Sequence, residues 1–369
     1  MLWSTVQADQ FCTLITDGTH DSPKPQQSGW KLITSKHLKG HYIDFDSANW
    51  IGEADYLKVI SRSAVEQWDI LFSMIGTIGN IYLEKNPHVE YACKNMGIFK
   101  FSGNKENALW MYYYLKSPQA KAYIQTHLRG STQSYVPLGS LRDMPVPVPP
   151  QSVRNEIIAI LSPIDEKIEC NNAINDNLQQ QAQAIYASMF VDNADPAWQQ
   201  GHLSDLVIVR YGKDHKKLAD GIYPVYGSGG IMRYVERPLY DKESVLIPRK
   251  GTLNNVMYVN QPFWSVDTMF YTEMRLPNVA KFVYHFVKAK DLASMNAGSA
   301  VPSMTTDILN AMKVAIPPAS VLEEFESLVA PMYRAMQEND AQSKKLADLR
   351  DTLLPKLMSS EIDVSGIQL

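Results

Sequence analysis

The sequence predicts an α+β chain: two repeated α/β domains joined by two long antiparallel coiled-coil helices, with pseudo-two-fold symmetry. Three observations carry this. The chain matches itself when shifted by 168 residues, a proline run closes each globular part, and a seven-residue apolar stripe follows each proline run.

The repeat is clearest at the domain ends. Leu141, Met144, Val146, Pro149 and Pro150 recur as Leu309, Met312, Val314, Pro317 and Pro318. The register continues through Ser152-Val153 and Ser320-Val321, Glu156 and Glu324, Pro163 and Pro331, and Asn171 and Asn339. Upstream, Gly130-Ser131 matches Gly298-Ser299. One period is about half the chain, so the unit is a duplicated module rather than a solenoid. The boundaries predicted are a first domain over 1–150, a long helix over 151–192, a second domain over 193–318 and a second helix over 319–369.

Within the domains, Ile70-Leu71-Phe72-Ser73-Met74-Ile75 and Ser244-Val245-Leu246-Ile247-Pro248 read as buried strands. Residues 108–126 and 279–292 read as helices. Pro145, Pro147, Pro149 and Pro150 favour extended backbone and end the first globular part; Pro317-Pro318 end the second.

The stretch after each proline run is long, polar and almost free of glycine. Ser152 is placed to cap the first helix, with Glu156 in its first turn. Sevens from Ile157 give Ile164, Asn171, Leu178 and Ile185; sevens from Phe325 give Met332, Asn339, Leu346 and Leu353. Ile160, Leu161, Ile168 and Ile174 widen the first stripe, and Leu328, Val329, Met336 and Leu349 the second. Such stripes mark coiled-coil seams. A helix over 152–190 is about 58 Å long at ~1.5 Å per residue, more than one small domain buries. The central position of both stripes is asparagine, which costs stability and fixes register. In an antiparallel pair Asn171 is expected to face Asn339, the alternative being that both face solvent.

The formal net charge is −4, but it is uneven: residues 151–200 carry −5, residues 319–369 carry −4, and the remainder carries +5. That balance permits phosphate contact without demonstrating it. Cys12, Cys93 and Cys170 are scattered, with no C-x-x-C, which argues against a disulfide framework or zinc site and fits a reducing cytoplasm. No run approaches the ~20 apolar residues of a membrane helix. The start, Met1-Leu2-Trp3-Ser4-Thr5, does not read as a signal peptide. Motifs for a P-loop, a zinc protease, a nucleophile elbow or the [DN]-P-P-[YF] tetrapeptide of amino-methyltransferases are absent from the sequence. Gly227-Ser228-Gly229-Gly230 reads as a loop allowing close backbone approach, and Asp165-Glu166-Lys167 as a solvated charge cluster. The expectation is a reader without catalysis.

These features together resemble the specificity subunit of Type I restriction–modification systems, over nearly the whole chain. Trp3…Ile15-Thr16-Asp17-Gly18-Thr19-His20 and Trp198…Val207…Tyr211-Gly212-Lys213 resemble the start of its target-recognition domains. Gly130-Ser131-Thr132-Gln133…Leu138…Leu141…Met144-Pro145-Val146-Pro147 resembles its domain-closing segment. The second copy departs by placing Lys313 and Ala315 where prolines are expected. The resemblance implies a non-catalytic, cytoplasmic subunit that reads a split target in double-stranded DNA, one half per domain. It implies docking of two modification (methyltransferase) subunits, which bind S-adenosylmethionine and flip the adenine. Restriction subunits, which hydrolyse ATP with Mg and cut DNA, join that core. It implies no cofactor or metal on this chain itself and no membrane contact.

Base and phosphate contact needs Lys, Arg, His, small hydroxyls, amides and free N–H groups on loops. The candidates are Thr19, His20, Lys24, Ser35, Lys36, Gly76, Thr77, Ser131 and Gln133 in the first domain. In the second they are Lys213, His215, Lys216, Lys217, Ser228, Arg249, Lys250, Thr252 and Ser299. The loops Ser73–Thr77 and 248–252 follow equivalent buried strands and form the best-matched pair. Two other readings stay open: a nuclease or methyltransferase with an unrecognised motif, and a duplicated adaptor that binds proteins.

Overall fold

The computed structural model describes residues 3–40, 42–295 and 303–364. The chain forms two compact units, Met1–Asn171 with Asp340–Leu369, and Asn172–Asn339.

The first unit runs β1 (Ser4–Gln7), α1 (Ala8–Phe11), β2 (Leu14–Asp17), β3 (Trp30–Ile33), β4 (Asn49–Ile51), α2 (Glu53–Ser63) and β5 (Ile70–Ser73). It continues through β6 (Ile81–Leu83), β7 (Tyr91–Cys93), β8 (Met96–Lys100), α3 (Lys105–Lys116), α4 (Pro118–Thr126), α5 (Leu138–Arg142) and β9 (Pro145–Val148) into helix α6 (Gln151–Ala187). An antiparallel sheet has the order β2-β8-β5-β6, and a three-stranded sheet the order β4-β3-β7 with β3 and β7 parallel. β1 and the proline-bearing β9 pair antiparallel. β5 is buried throughout because the sheet is covered on both faces. Ile70 and Phe72 point into one apolar cluster and Leu71 into another, as a period of two requires. Two sequence expectations are corrected here. The strand stops at Ser73 rather than Ile75. The helix over 108–126 is two helices, because Ser117 leaves the helical conformation, caps Ala120 N with its side chain (3.2 Å) and hands over to Pro118.

The second unit repeats that plan with β10 (Gln199–His202), α7 (Leu203–Leu206), β11 (Val207–Tyr211), β12 (Asp220–Gly227), β13 (Gly230–Val235) and β14 (Ser244–Pro248). Then follow β15 (Met257–Val259), β16 (Trp264–Ser265), β17 (Met269–Met274), α8 (Ala280–Lys288), α9 (Thr306–Asn310), β18 (Lys313–Ile316) and α10 (Ala319–Met358). The sheets are β11-β17-β14-β15 and β13-β12-β16, with β12 and β16 parallel, and β10 pairs β18 antiparallel. Val245 and Ile247 enter one cluster and Leu246 the other, matching β5 position by position.

Each unit holds one half of each long helix, and within each unit the halves run antiparallel. In the first, Ile157, Ile158 and Leu161 of α6 share a core with Leu354, Leu357 and Met358 of α10. Above that core Arg350 donates to Asp165 (2.6 Å), and Lys116 of α3 reaches the same carboxylate at 3.4 Å. Asp165 is thus a buried, paired carboxylate rather than part of a solvated cluster. Burial pulls the Lys116 ammonium down to about 8. In the second unit Ala182 and Tyr186 of α6, with Phe190 in the π-helical turn that follows it (Ser188–Asp192), pack with Leu322, Phe325, Val329 and Tyr333 of α10. His285 of α8 fills the space between them. It lies 2.8 Å from Gln183 Oε1 through Nδ1 and 2.9 Å from the Tyr333 hydroxyl through Nε2. With Gln183 accepting and Tyr333 donating, the ring is neutral, and burial holds its pKa down at about 4.

Ile157, Asn171 and Phe325 are buried; Ile164, Leu178, Ile185, Met332, Asn339, Leu346 and Leu353 are half-buried, as in any two-stranded pair. Ile174, Leu328 and Leu349, expected to widen the stripes, are instead exposed. Asn171 donates to Ser343 (3.1 Å) and to Gln342 (2.9 Å) in the first unit; Asn339 donates to Asn175 (2.9 Å) in the second. Positions 171 and 339 are one repeat apart, and so are 175 and 343. A hydrogen bond between equivalent positions is therefore made twice, to a serine hydroxyl in one unit and an asparagine carboxamide in the other, each asparagine bonding one turn along from its counterpart's position.

Two outcomes follow. Arg350→Met leaves the buried Asp165 carboxylate with Lys116 alone, at 3.4 Å, and should cost about 1–3 kcal/mol in unfolding free energy, whereas adding Asp165→Asn should recover part of that loss; equal losses in single and double variants would dismiss the pairing. His285 has a folded pKa below the ordinary 6.5, so its contribution is intact above pH 6.5 and is lost as pH falls toward 4. Denaturant titrations between pH 7 and 4.5 should show a loss approaching ~3 kcal/mol that His285→Gln flattens.

Candidate nucleic-acid interface

The candidate loops gather because strand ends gather. In the first unit β2, β3, β5 and β7 all finish at the sheet edge where β8 begins. Main-chain hydrogen bonds stitch the loops together there. Gly18 N donates to Met96 O, Thr19 N to Cys93 O, Lys94 N to Ile33 O and Val136 N to Met74 O, each at 2.9 Å. A bridge between Ile75 and Tyr135 brings the 129–135 loop onto the loop after β5.

The second unit makes the same bonds. Gly212 N donates to Met269 O (3.0 Å), Lys213 N to Ser265 O (2.8 Å), Val266 N to Tyr226 O (3.1 Å) and Met304 N to Arg249 O (2.9 Å). Lys250 bridges Ser303 as Ile75 bridges Tyr135. Gly18 and Gly212 are glycines for the same reason: a Cβ on either would collide with the neighbouring strand's carbonyls, Cys93 O and Val266 O respectively. Gly76 and Gly251 also correspond, and both sit at positive φ, +77° and +86°. The matched loops of the sequence are matched in space within each domain.

The individual candidates divide. Lys24, Lys36, Lys213, Lys216, Lys217 and Lys250 are exposed and take part in no ion pair among the described residues. Gly76, Thr77, Ser131, Gln133 and Thr252 are exposed on the same loops. Thr77 Oγ1 donates to Ser35 O (3.3 Å), which holds the Ser35–Lys36 turn beside the loop after β5. Thr19 and Ser228 are half-buried. Thr19 Oγ1 accepts from Asp21 N (3.1 Å), and the Ser228 carbonyl accepts from Asn255 Nδ2 (2.8 Å). His20 is exposed but engaged, with Nε2 2.8 Å from Asp17 and Nδ1 2.8 Å from Asn95. Arg249 is half-buried; its Nη1 donates to Asp267 O (3.4 Å) and its guanidinium lies 5.4 Å from the Tyr211 ring centroid. His215 is half-buried with Nδ1 enclosed. Ser35 is a correction: it is only 8% exposed, inside a short 3-10 turn, so its side chain faces the core and not a ligand. Ser299 lies outside the described residues. The 227–230 loop is a tight two-residue turn, Ser228-Gly229, joining β12 to β13.

Sequence reasoning missed Lys94, Asn95, Arg129 and Tyr135, which share this edge. Lys94 Nζ donates to Ser22 Oγ, and Asn95 holds φ +53° between β7 and β8. Arg129 and Tyr135 bracket a small hairpin and are both exposed. A basic residue followed by Asn between two short strands was the available signal. The edge combines unpaired ammonium groups, backbone N–H groups and hydroxyls, the set that contacts phosphate and base edges. Among the described residues no group of His, Cys, Asp and Glu could hold a metal, and no helix is long and apolar enough to cross a membrane.

Comparison with known proteins places this geometry. The family model described as the Type I restriction modification DNA specificity domain matches residues 3–180 and again 197–324. The MjaIX Type I restriction enzyme specificity subunit of Methanocaldococcus jannaschii is 23% identical, with 91% of this chain and 87% of that one covered. The HindI specificity subunit of Haemophilus influenzae is 19% identical over 82% and 88%. The crystal structure of the Type I restriction–modification S subunit from M. genitalium superposes with a TM-score of 0.56, at 18% identity and 96% coverage of both chains, which establishes a common fold.

Lys250 tests the edge directly. Lys250→Ala should weaken binding to DNA evenly across sequences and lower the salt slope of log affinity by about one; Arg249→Ala, whose guanidinium is held by Tyr211 and Asp267, should change affinity less. Salt titrations that leave the Lys250 variant on the wild-type line would remove this loop from the interface.

Proposed function

The chain belongs to the Type I restriction modification DNA specificity family and is a specificity subunit with two target-recognition domains, and from that premise we propose how it works. Each unit reads one half of a bipartite target in double-stranded DNA through the loop edge described above. The chain has no catalytic role; two modification subunits dock on it, and restriction subunits join that core. S-adenosylmethionine serves methyl transfer in the modification subunits, and ATP with Mg serves the restriction subunits. The paired helices set the gap between half-sites, because side chains of α6 and α10 fix one register through the repeated asparagine bond.

One observation carries the reading: two domains that differ in sequence keep the same main-chain bonds across the same loop edge, and both edges expose unpaired lysines. Backbone bonds fix the platform while loop side chains stay free to differ, which is what two readers of unlike half-sites need. A protein-binding adaptor would not need lysines free of ion pairs on both edges.

Exchanging residues 1–150 for the corresponding part of another specificity subunit, co-expressed with the modification subunit, should alter one half of the methylated motif and leave the other intact. Genome-wide mapping of methylated bases reads the result. Change in both halves would refute independent reading, and unchanged motifs would refute reading by this domain.

A further inference from the structure

The β12–β13 hairpin of the second unit departs from what a soluble sheet edge usually shows. At its start the pairing slips: Val225 lies opposite Arg233, and Tyr226 opposite Ile231, so Met232 is an extra residue in a β-bulge. Bulges re-aim side chains. Here the bulge leaves Met232 61% exposed and its neighbour Ile231 49% exposed, two consecutive apolar residues turned outward. The position is built rather than incidental. Gly227, across the turn, has no side chain, and a Cβ there would stand 2.5 Å from Met232 Sδ. The hairpin therefore keeps a slot into which the thioether lies back while its end projects.

The surroundings indicate the occupant. The turn Ser228-Gly229 belongs to the loop edge: a Cβ on Gly251 would stand 2.7 Å from Ser228 Oγ, and Asn255 Nδ2 donates to Ser228 O. Lys250 and Thr252, both exposed, flank that glycine. Lys213, also exposed, is tied to the parallel partner strand through Ser265. A pair of apolar side chains on a hairpin whose turn and partner strand join the loops bearing exposed Lys250 and Lys213 suits a polyanion that also offers apolar groups within a groove. Duplex DNA offers one such group at base edges, the C5-methyl of thymine.

We propose that Met232, supported by Ile231 and by the space at Gly227, is a specificity-determining residue that contacts a thymine methyl in the second half-site. The proposal rests on the DNA-reading edge above and adds to it a base class and a residue. Met232 supplies no charge, so it sets sequence preference without altering counterion release.

The test uses the complex of this chain with its modification subunit and duplexes carrying its methylated motif, with each thymine of the second half-site replaced in turn by uracil, which lacks the methyl. One replacement should weaken wild-type binding several-fold. Met232→Ala should lose a similar factor on the thymine duplex, be indifferent to that replacement, and keep the wild-type salt slope. Met232→Leu should retain the preference, and Gly227→Ala, which displaces Met232 without removing it, should reproduce the loss. Thermal unfolding of each variant confirms a folded chain. Wild-type indifference to every uracil overturns the proposal, as does Met232→Ala binding all duplexes like wild type. If Met232→Ala instead blocks assembly with the modification subunit, the side chain serves a protein contact and the proposal also falls. Lys250→Ala on the same duplexes separates the failures: its effect on salt slope persists if only Met232 was misassigned, and vanishes if the edge itself was.

Discussion

Neither repeat closes its own core. The first domain is covered by its own following helix and by the far end of α10, whose Leu354, Leu357 and Met358 are buried among Trp110, Tyr113 and Ile157. The second is covered by the start of α10 and by the end of α6 with the turn after it, which together contribute Ala182, Tyr186 and Phe190. Each domain thus depends on a helix segment that begins in the other repeat. A two-stranded helical seam buries too little to stand alone, and a small domain with one bare sheet face is marginal. The reciprocal loan answers both needs, and it explains why the helices run far longer than any one domain requires.

The loan is symmetric in backbone and asymmetric in chemistry. Asp165 in α6 and Tyr333 in α10 are equivalent by the 168-residue repeat, and each sits where two helix halves meet the domain's own helix. One junction is an ion pair, Asp165 with Arg350 and Lys116; the other is a neutral chain, Gln183, His285 and Tyr333. Both satisfy buried polar groups, but only the matching partner does so. A carboxylate facing Tyr333's neighbours, or a neutral ring facing Arg350, leaves a group unpaired in a low-dielectric site. The two junctions therefore discriminate between correct and exchanged helix halves, whereas the asparagine bonds, made twice between equivalent positions, fix register alone.

What the sequence made legible was whatever is periodic or local. The repeat, the heptad stripes, the proline-closed strands and the equivalence of the loops bearing Gly76 and Gly251 all depend on spacing or on residues close in sequence. What escaped depends on partners far along the chain. Asp165 looked solvated because Arg350 lies 185 positions away. Ser35 looked like a surface hydroxyl, yet it is buried within a short 3-10 turn, which sequence alone does not show. Leu328 and Leu349 looked like seam residues, yet fall on the outer face, since a stripe in sequence does not say how wide the covering surface is. Arg129 was passed over because nothing local marks it, and Lys94 because its one local mark, the Asn that follows it between two short strands, is weak; the gathering of strand ends brings both to the edge.

The same division explains how one scaffold can hold two different readers. The bonds that shape the edge come from main-chain groups of Gly18, Thr19, Lys94 and Val136, and of Gly212, Lys213, Val266 and Met304, so they constrain side chains only where backbones nearly touch. Between β3 and β4 the first domain inserts residues 34–48, with exposed Tyr42 and Phe45, where the second domain has the two-residue turn before Met232. A longer connection and a tight bulged hairpin thus emerge from the same strand position. Changing what such an edge reads requires no change in the sheet, only in the segment it presents.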